Sequence, residues 1–319
     1  MTGFFILSSF LLTHNLINQV SKSANTFRSV QLIILKYFIR RFFRIYLPFF
    51  FVCTLIKGVS LRFIGMYATY TKSWFSMISL QSTGFTHLWT IAPEIKYYFF
   101  IPLFVLITVK VFNKYRLAWL ILTILSCFCI EYFNLFMQTT KDFELPEGHV
   151  FTTRFTVFFL GSILALIYDD IYKKEKLILF LNRFKFIIGI LSSLMYIKFL
   201  KYGSGSYNHH LNEYECFFKA GFHLFIIYLL MLIGDCNFFT NIFKNSFLKL
   251  AGKFSFGIYL FHPMCLVEVN RYFSGYFVYK SEKLIFAFFV SFLTAALFFY
   301  LIEQPLINLA KKLCLKLDY

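Results

Sequence analysis

Long apolar runs, separated by short polar and basic stretches, recur from one end of this chain to the other. A bilayer core about 30 Å thick asks for roughly 20 apolar residues per helix. Nine stretches come close: 2–18, 44–60, 95–111, 117–137, 154–169, 184–200, 217–233, 253–269 and 284–303. The pattern predicts an all-α fold, a polytopic transmembrane bundle of about nine spans. A single membrane domain over residues 1–319 is expected, because no polar block is long enough to fold by itself. Several runs are short of a full crossing, and breaks at Gly or Pro are tolerated only where protein or a water-filled cavity satisfies the freed backbone. The first run, Thr2–Leu12, has no basic residue ahead of it and no small-residue cleavage pattern after it. It therefore reads as a spanning helix and not as a signal peptide.

Composition agrees with a membrane protein. Of 319 residues, 59% are hydrophobic, 48 are Phe and 21 are Tyr; charged residues make up 15%, against about 25% in an average soluble domain. The net charge of +17 would suggest nucleic acid in a soluble protein. Here the loops 19–44, 110–116, 170–185, 234–253 and 304–319 hold 20 of the 32 basic residues, so the bias of cytoplasmic loops toward Lys and Arg accounts for the charge. No nucleic-acid partner is expected; the lipid bilayer is. With nine spans the N-terminus is expected outside and the C-terminus in the cytoplasm, and Asp142, Glu144, Glu147, Glu213 and Glu215 fall in outer loops. The seven cysteines include no CxxC pair and mostly lie inside spans, which defines neither a disulfide framework nor a metal site.

Four constellations stand out. Arg40-Arg41-Phe-Phe-Arg44-Ile-Tyr-Leu-Pro48 opens the second span. On an α-helix Arg40 and Arg44, or Arg41 and Arg44, share a face, and guanidinium groups bind phosphate bidentately. The plain alternative is a set of anchors beside lipid headgroups. The segment from His87 to Pro102, HLWTIAPEIKYYFFIP, sets Glu94 among aromatics at the mouth of the third span, with Pro93 suited to a helix start. Glu94 is either a working carboxylate, since such groups are costly at a membrane edge, or a charge complementing the helix dipole. In Gly252 to Pro263, GKFSFGIYLFHP, a His-Pro pair inside an apolar run marks a broken or kinked helix. His262 could serve as general base or be a structural residue partnered by Ser255 or Tyr259. Glu303-Gln-Pro305 ends the last span, where Pro305 is expected to stop the helix and Glu303 to pair with the basic cluster. His14, Glu131 and Glu268 are further polar residues in or near spans, without a recognisable context. No GxSxG, HExxH, Walker or GxGxxG pattern is present.

In this order, these segments resemble the acyltransferase-3 family of multi-pass membrane O-acyltransferases, which includes polysaccharide O-acetyltransferases and the nose-resistant-to-fluoxetine proteins. Phe5-Ile-Leu-Ser8-Ser9-Phe-Leu11 is similar to the family's FFxxSGFL segment, with Ser9 where glycine is usual. Arg41-Phe-Phe-Arg44-Ile-Tyr resembles RxxRIxP, with Pro48 one residue later than the family spacing. His87 to Tyr98 resembles WSLxxEExxFY, Glu94 standing on the first acidic position and Ile95 on the second. Arg154 to Gly161 resembles RxxxFxxG, Ser255 to Pro263 resembles SYxIYLxHxP, and Glu303-Gln-Pro305 the terminal ExP.

The resemblance implies transfer of an acyl group, acetyl in the first instance, from acyl-CoA to a hydroxyl of a carbohydrate or lipid acceptor. Acyl-CoA would be a co-substrate, with no bound cofactor or metal. Arg40, Arg41 and Arg44 would hold CoA phosphates. In the family a preceding helix carries an arginine and the histidine usually assigned to acyl transfer; Met1 lies only four residues before Phe5, so an N-terminally truncated domain is expected. His87 and His262 are then substitutes or supports, and Glu94 orients a histidine or an arginine. A different class remains open: a non-catalytic membrane protein that transports or senses a lipid or small molecule, with broken helices and midplane polar groups.

Overall fold

The computed structural model describes residues 2–23, 26–60, 90–139, 153–171, 175–205, 210–233, 245–276 and 279–318. Among them every regular element is helical and there is no strand. Each of the nine apolar stretches lies in a helix: α1 (Thr2–Lys22), α2 (Phe27–Arg41) leading to α3 (Leu47–Ser60), α4 (Ile91–Leu106), α5 (Arg116–Thr139), α6 (Thr153–Ile171), α7 (Glu175–Gly205), α8 (His210–Ile233), α9 (Ser246–Phe273), and α10 (Lys280–Phe298) leading to α11 (Gln304–Lys316). Ile91–Val111, Arg116–Phe133, Leu248–Phe273 and Lys280–Lys316 are long and apolar enough to cross a membrane. The chain is an integral, multi-pass membrane protein.

Among the described residues, three π-helical turns sit in these helices: Phe42–Tyr46 between α2 and α3, Ile107–Val111 after α4, and Phe299–Glu303 between α10 and α11. Such turns, with i→i+5 hydrogen bonds, are rare and cluster at functional sites. Two of them carry motif residues, Arg44 and Glu303.

The helices depart from the expected loops in three places. Residues 27–41, read as loop, form α2. The segment is not apolar enough to count as a span, but Val30 and Tyr37, seven apart and hence on one face, are buried. Pro305 does not stop the last helix. It occupies the first turn of α11, immediately after the π turn. Nor is α9 broken at His262-Pro263; the helix continues through the pair.

By contacts the chain forms two compact units, residues Met1–Ile33 with Thr90–Cys236, and Ile34–Trp89 with Asn237–Tyr319. In the first, α1, α4 and α6 pack through an aromatic stack. Phe158 lies 4.2 Å from Phe5 and 5.1 Å from Tyr97, ring to ring, and Phe104 meets both Phe159 and Trp119. Close backbone approach makes room for it: a Cβ on Gly161 would fall 1.9 Å from Ser9 Oγ and 2.3 Å from the Ile6 carbonyl oxygen. The glycine expected at position 9 is thus matched from the opposite helix. In the second unit Gly257 meets Ala295, whose Cβ would be 3.1 Å from an added Cβ, and Phe254 packs on Phe292 and Phe299.

Candidate functional site

In the first unit, Glu94 belongs to the opening turn of α4, and only 3% of its surface is exposed. Its Oε1 accepts hydrogen bonds from the Tyr98 hydroxyl, 2.5 Å away, and from Ser8 Oγ on α1, 3.3 Å away. Tyr98 follows at i+4, on the same face. Ser8 arrives from 86 residues earlier in the chain. The carboxylate therefore does more than complement a helix dipole: it links α1 to α4. One turn deeper, Ser162 Oγ on α6 lies 2.5 Å from the Tyr97 hydroxyl and 2.7 Å from Thr13 Oγ1. Two hydrogen-bonded sets thus join these helices: Glu94 with Ser8 and Tyr98, and Ser162 with Thr13 and Tyr97. Sequence reasoning missed Ser8, Thr13, Tyr97 and Ser162; the signal was a hydroxyl on the buried face of an otherwise apolar helix.

The basic cluster belongs to the second unit, and its three arginines are not equivalent. Arg40 Nε donates to the Lys36 carbonyl of its own helix at 3.0 Å. Lys36 in turn forms an ion pair with Asp318, and its carbonyl also receives Cys314 Sγ from α11 at 3.8 Å. Arg40 thus belongs to the seam between α2 and α11. Arg44 lies in the π turn Phe42–Tyr46. That turn has a longer hydrogen-bonded repeat than an α turn, so the i, i+3 and i, i+4 alignment expected for an α-helix no longer holds. The turn packs against α11, directly after Glu303, which is buried in the other π turn of this unit at 4% exposure. Among the described residues no hydrogen bond reaches Glu303 Oε1.

His262 is exposed on α9, and its Nδ1 lies 2.9 Å from the Tyr259 carbonyl oxygen. In an α-helix that carbonyl would receive the N–H of residue 263, which is proline and has none. The imidazole supplies a donor in its place, and α9 continues through the pair. A carbonyl only accepts, so the proton of the neutral ring is on Nδ1 and the lone pair on Nε2. Of the two partners expected, Tyr259 is engaged through its backbone, while Ser255 Oγ donates to the Gly252 carbonyl. His87 lies outside the described residues, as does the side chain of Arg154.

Glu94 therefore falls in one unit, and Arg40, Arg41, Arg44, His262 and Glu303 in the other. Glu94 is an ordered, buried carboxylate, and His262 presents Nδ1 to a backbone carbonyl.

A family profile described as "Acyltransferase domain", of the acyltransferase-3 type, matches residues 1–303. An uncharacterized protein of Haemophilus influenzae is 25% identical over 219 residues, covering 61% of this chain and 84% of that protein. The "Probable poly-beta-1,6-N-acetyl-D-glucosamine export protein" of Staphylococcus aureus is 26% identical over 136 residues, covering 41% of this chain and 34% of that protein. No solved structure matches the chain.

Proposed function

The chain belongs to the acyltransferase-3 family and is a membrane acyltransferase, and from that premise we propose that it moves an acetyl group from acyl-CoA to a hydroxyl of a carbohydrate or lipid acceptor. Arg41 and Arg44 receive CoA phosphate groups, which suit the planar donor fork of guanidinium; Arg40 supports the helix seam beside them. The acceptor hydroxyl oxygen attacks the thioester carbonyl carbon. As the new C–O bond forms, His262 Nε2 takes the hydroxyl proton. The C–S bond then breaks, and the departing CoA thiolate takes that proton back from the imidazolium. Oriented donors stabilise the oxyanion between these steps. Glu94 is a positioning residue that fixes the hydroxyls of Ser8 and Tyr98, and His87 is a support.

The observation that carries this reading is Arg44 on a π turn that packs against α11, which begins directly after the buried carboxylate Glu303. An ordinary headgroup anchor has no use for a helical defect. The test uses radiolabelled acetyl-CoA with purified protein in nanodiscs. Binding should weaken by about tenfold to a hundredfold in the Arg41→Ala/Arg44→Ala variant, the range expected for lost charge-assisted hydrogen bonds, while membrane insertion is unchanged. Equal binding by the variant and the unaltered protein would reduce the arginines to anchors.

The export named for the Staphylococcus aureus relative favours a second reading, in which this chain moves a saccharide or lipid without modifying it. Transport of an acceptor with no label transferred, together with absent acetyl-CoA binding, would establish that reading instead.

A further inference from the structure

The first half of α9 carries a cation that the proposed acyl transfer does not use. Lys253, in the segment GKFSFGIYLFHP, is exposed. Its Nζ stands 4.7 Å from the centre of the Phe299 ring, 5.0 Å from that of Tyr300 and 5.9 Å from that of Phe254. All of these residues belong to the second unit. Packing sets the ledge of rings in place. Phe254 lies 5.4 Å from Phe299 and 5.9 Å from Tyr300, ring to ring, and Ile307 of α11 packs on the same cluster. One turn further along α9, Gly257 meets the Ala295 backbone of α10.

Aromatic faces attract and orient an ammonium group but bring no net charge. The positive charge of Lys253 is therefore held in place without being neutralised. Lys249, four residues earlier and also exposed, shares its face of the helix. The acidic side chains of the unit are committed or distant. Asp318 pairs with Lys36, and Glu282 caps the far end of α10. Glu303 is buried, and Glu268 lies about 22 Å along α9 at 1.5 Å per residue. Lys253 also opens the apolar run 253–269 at its basic end. A lysine there reaches the level of lipid phosphates, its long stem lying along apolar surface while the ammonium stays in the headgroup layer.

We propose that Lys249 and Lys253, on the ledge of Phe299 and Tyr300, form a site for the phosphate of an anionic phospholipid. The site goes beyond acyl transfer and requires no step of it. A zwitterionic lipid brings a cation of its own to the same place, so selection falls on the net charge of the headgroup. CoA phosphates share the chemistry, but the ledge opens where Tyr300 and Leu301 are 57% and 73% exposed on an apolar span. That is the kind of surface a lipid covers.

The experiment is photolabelling of the full chain in nanodiscs by phosphatidylglycerol with a diazirine near its headgroup. Label should map to residues 249–256 and 297–301, and unlabelled phosphatidylglycerol should displace it at least about tenfold better than phosphatidylcholine. Lys253→Met should reduce labelling about fivefold, the scale for one basic residue beside anionic lipid. Lys253→Arg should keep it, since guanidinium also stacks on aromatic faces. Tyr300→Leu keeps every charge and should still weaken labelling by about twofold to fivefold, as expected for a lost cation–π contact. Lys280→Met, the same loss of charge at an exposed position at the far end of α10, should leave labelling unchanged. Equal displacement by phosphatidylcholine, label elsewhere, an equal fall in Lys280→Met or no effect of Tyr300→Leu would overturn the proposal. Better displacement by acetyl-CoA than by phosphatidylglycerol would give the two lysines to the acyl donor instead and overturn it equally.

Discussion

His262 shows how one side chain can carry a structural and a chemical duty at once. Its Nδ1 closes the gap that Pro263 opens at the Tyr259 carbonyl, and the same bond fixes which nitrogen holds the lone pair. These duties are separable. Removing the ring in His262→Ala leaves the carbonyl without its donor and should lower stability by about 1–3 kcal/mol, read as thermal unfolding in detergent. Adding Pro263→Ala restores a backbone N–H to that carbonyl and should recover most of the loss. Acetyl transfer should stay absent in the double variant, because the base is still missing; recovery of transfer along with stability would confine His262 to the structural duty. Sequence alone could not decide between these roles, since a His-Pro pair reads as a break unless the donor is seen.

Between helices the governing constraint is the approach of α1 to α6. Gly161 has room for no side chain, because a Cβ there would meet both Ser9 Oγ and the Ile6 backbone. Gly161→Ala should therefore destabilise the first unit by about 1–3 kcal/mol, the usual range for overpacking. Ser9→Gly should relieve only part of that in the double variant, since the Ile6 carbonyl cannot be removed. Full relief would show that the helices separate easily, and that the hydroxyl set of Thr13, Tyr97 and Ser162, which depends on the same packing, is loosely held. Thermal unfolding of the single and double variants distinguishes the outcomes.

For the molecule as a whole, the excess of Lys and Arg in one set of loops predicts an orientation with the basic cluster facing the cytoplasm. Membrane-impermeant acetyl-CoA should therefore support transfer in inside-out vesicles and not in right-side-out ones; the reverse would invert the assignment. The membrane helices were legible because the bilayer demands long apolar runs, and such runs survive in composition alone. The amphipathic helix 27–41 was not, since its mean hydropathy is that of a loop and only the spacing of Val30 and Tyr37 betrays it. Motif order identified Glu94, but its bond to Ser8 depends on packing between residues 86 apart. The π turn at Phe42–Tyr46 also has a meaning for descent. Pro48 stands one residue late against the family spacing RxxRIxP, and a π turn is how a helix takes in one surplus residue without rotating the turns beyond it. An insertion absorbed as a bulge would leave such a late proline, and an alignment with relatives is then expected to place its gap inside this helix; a gap at the helix end would speak against that origin.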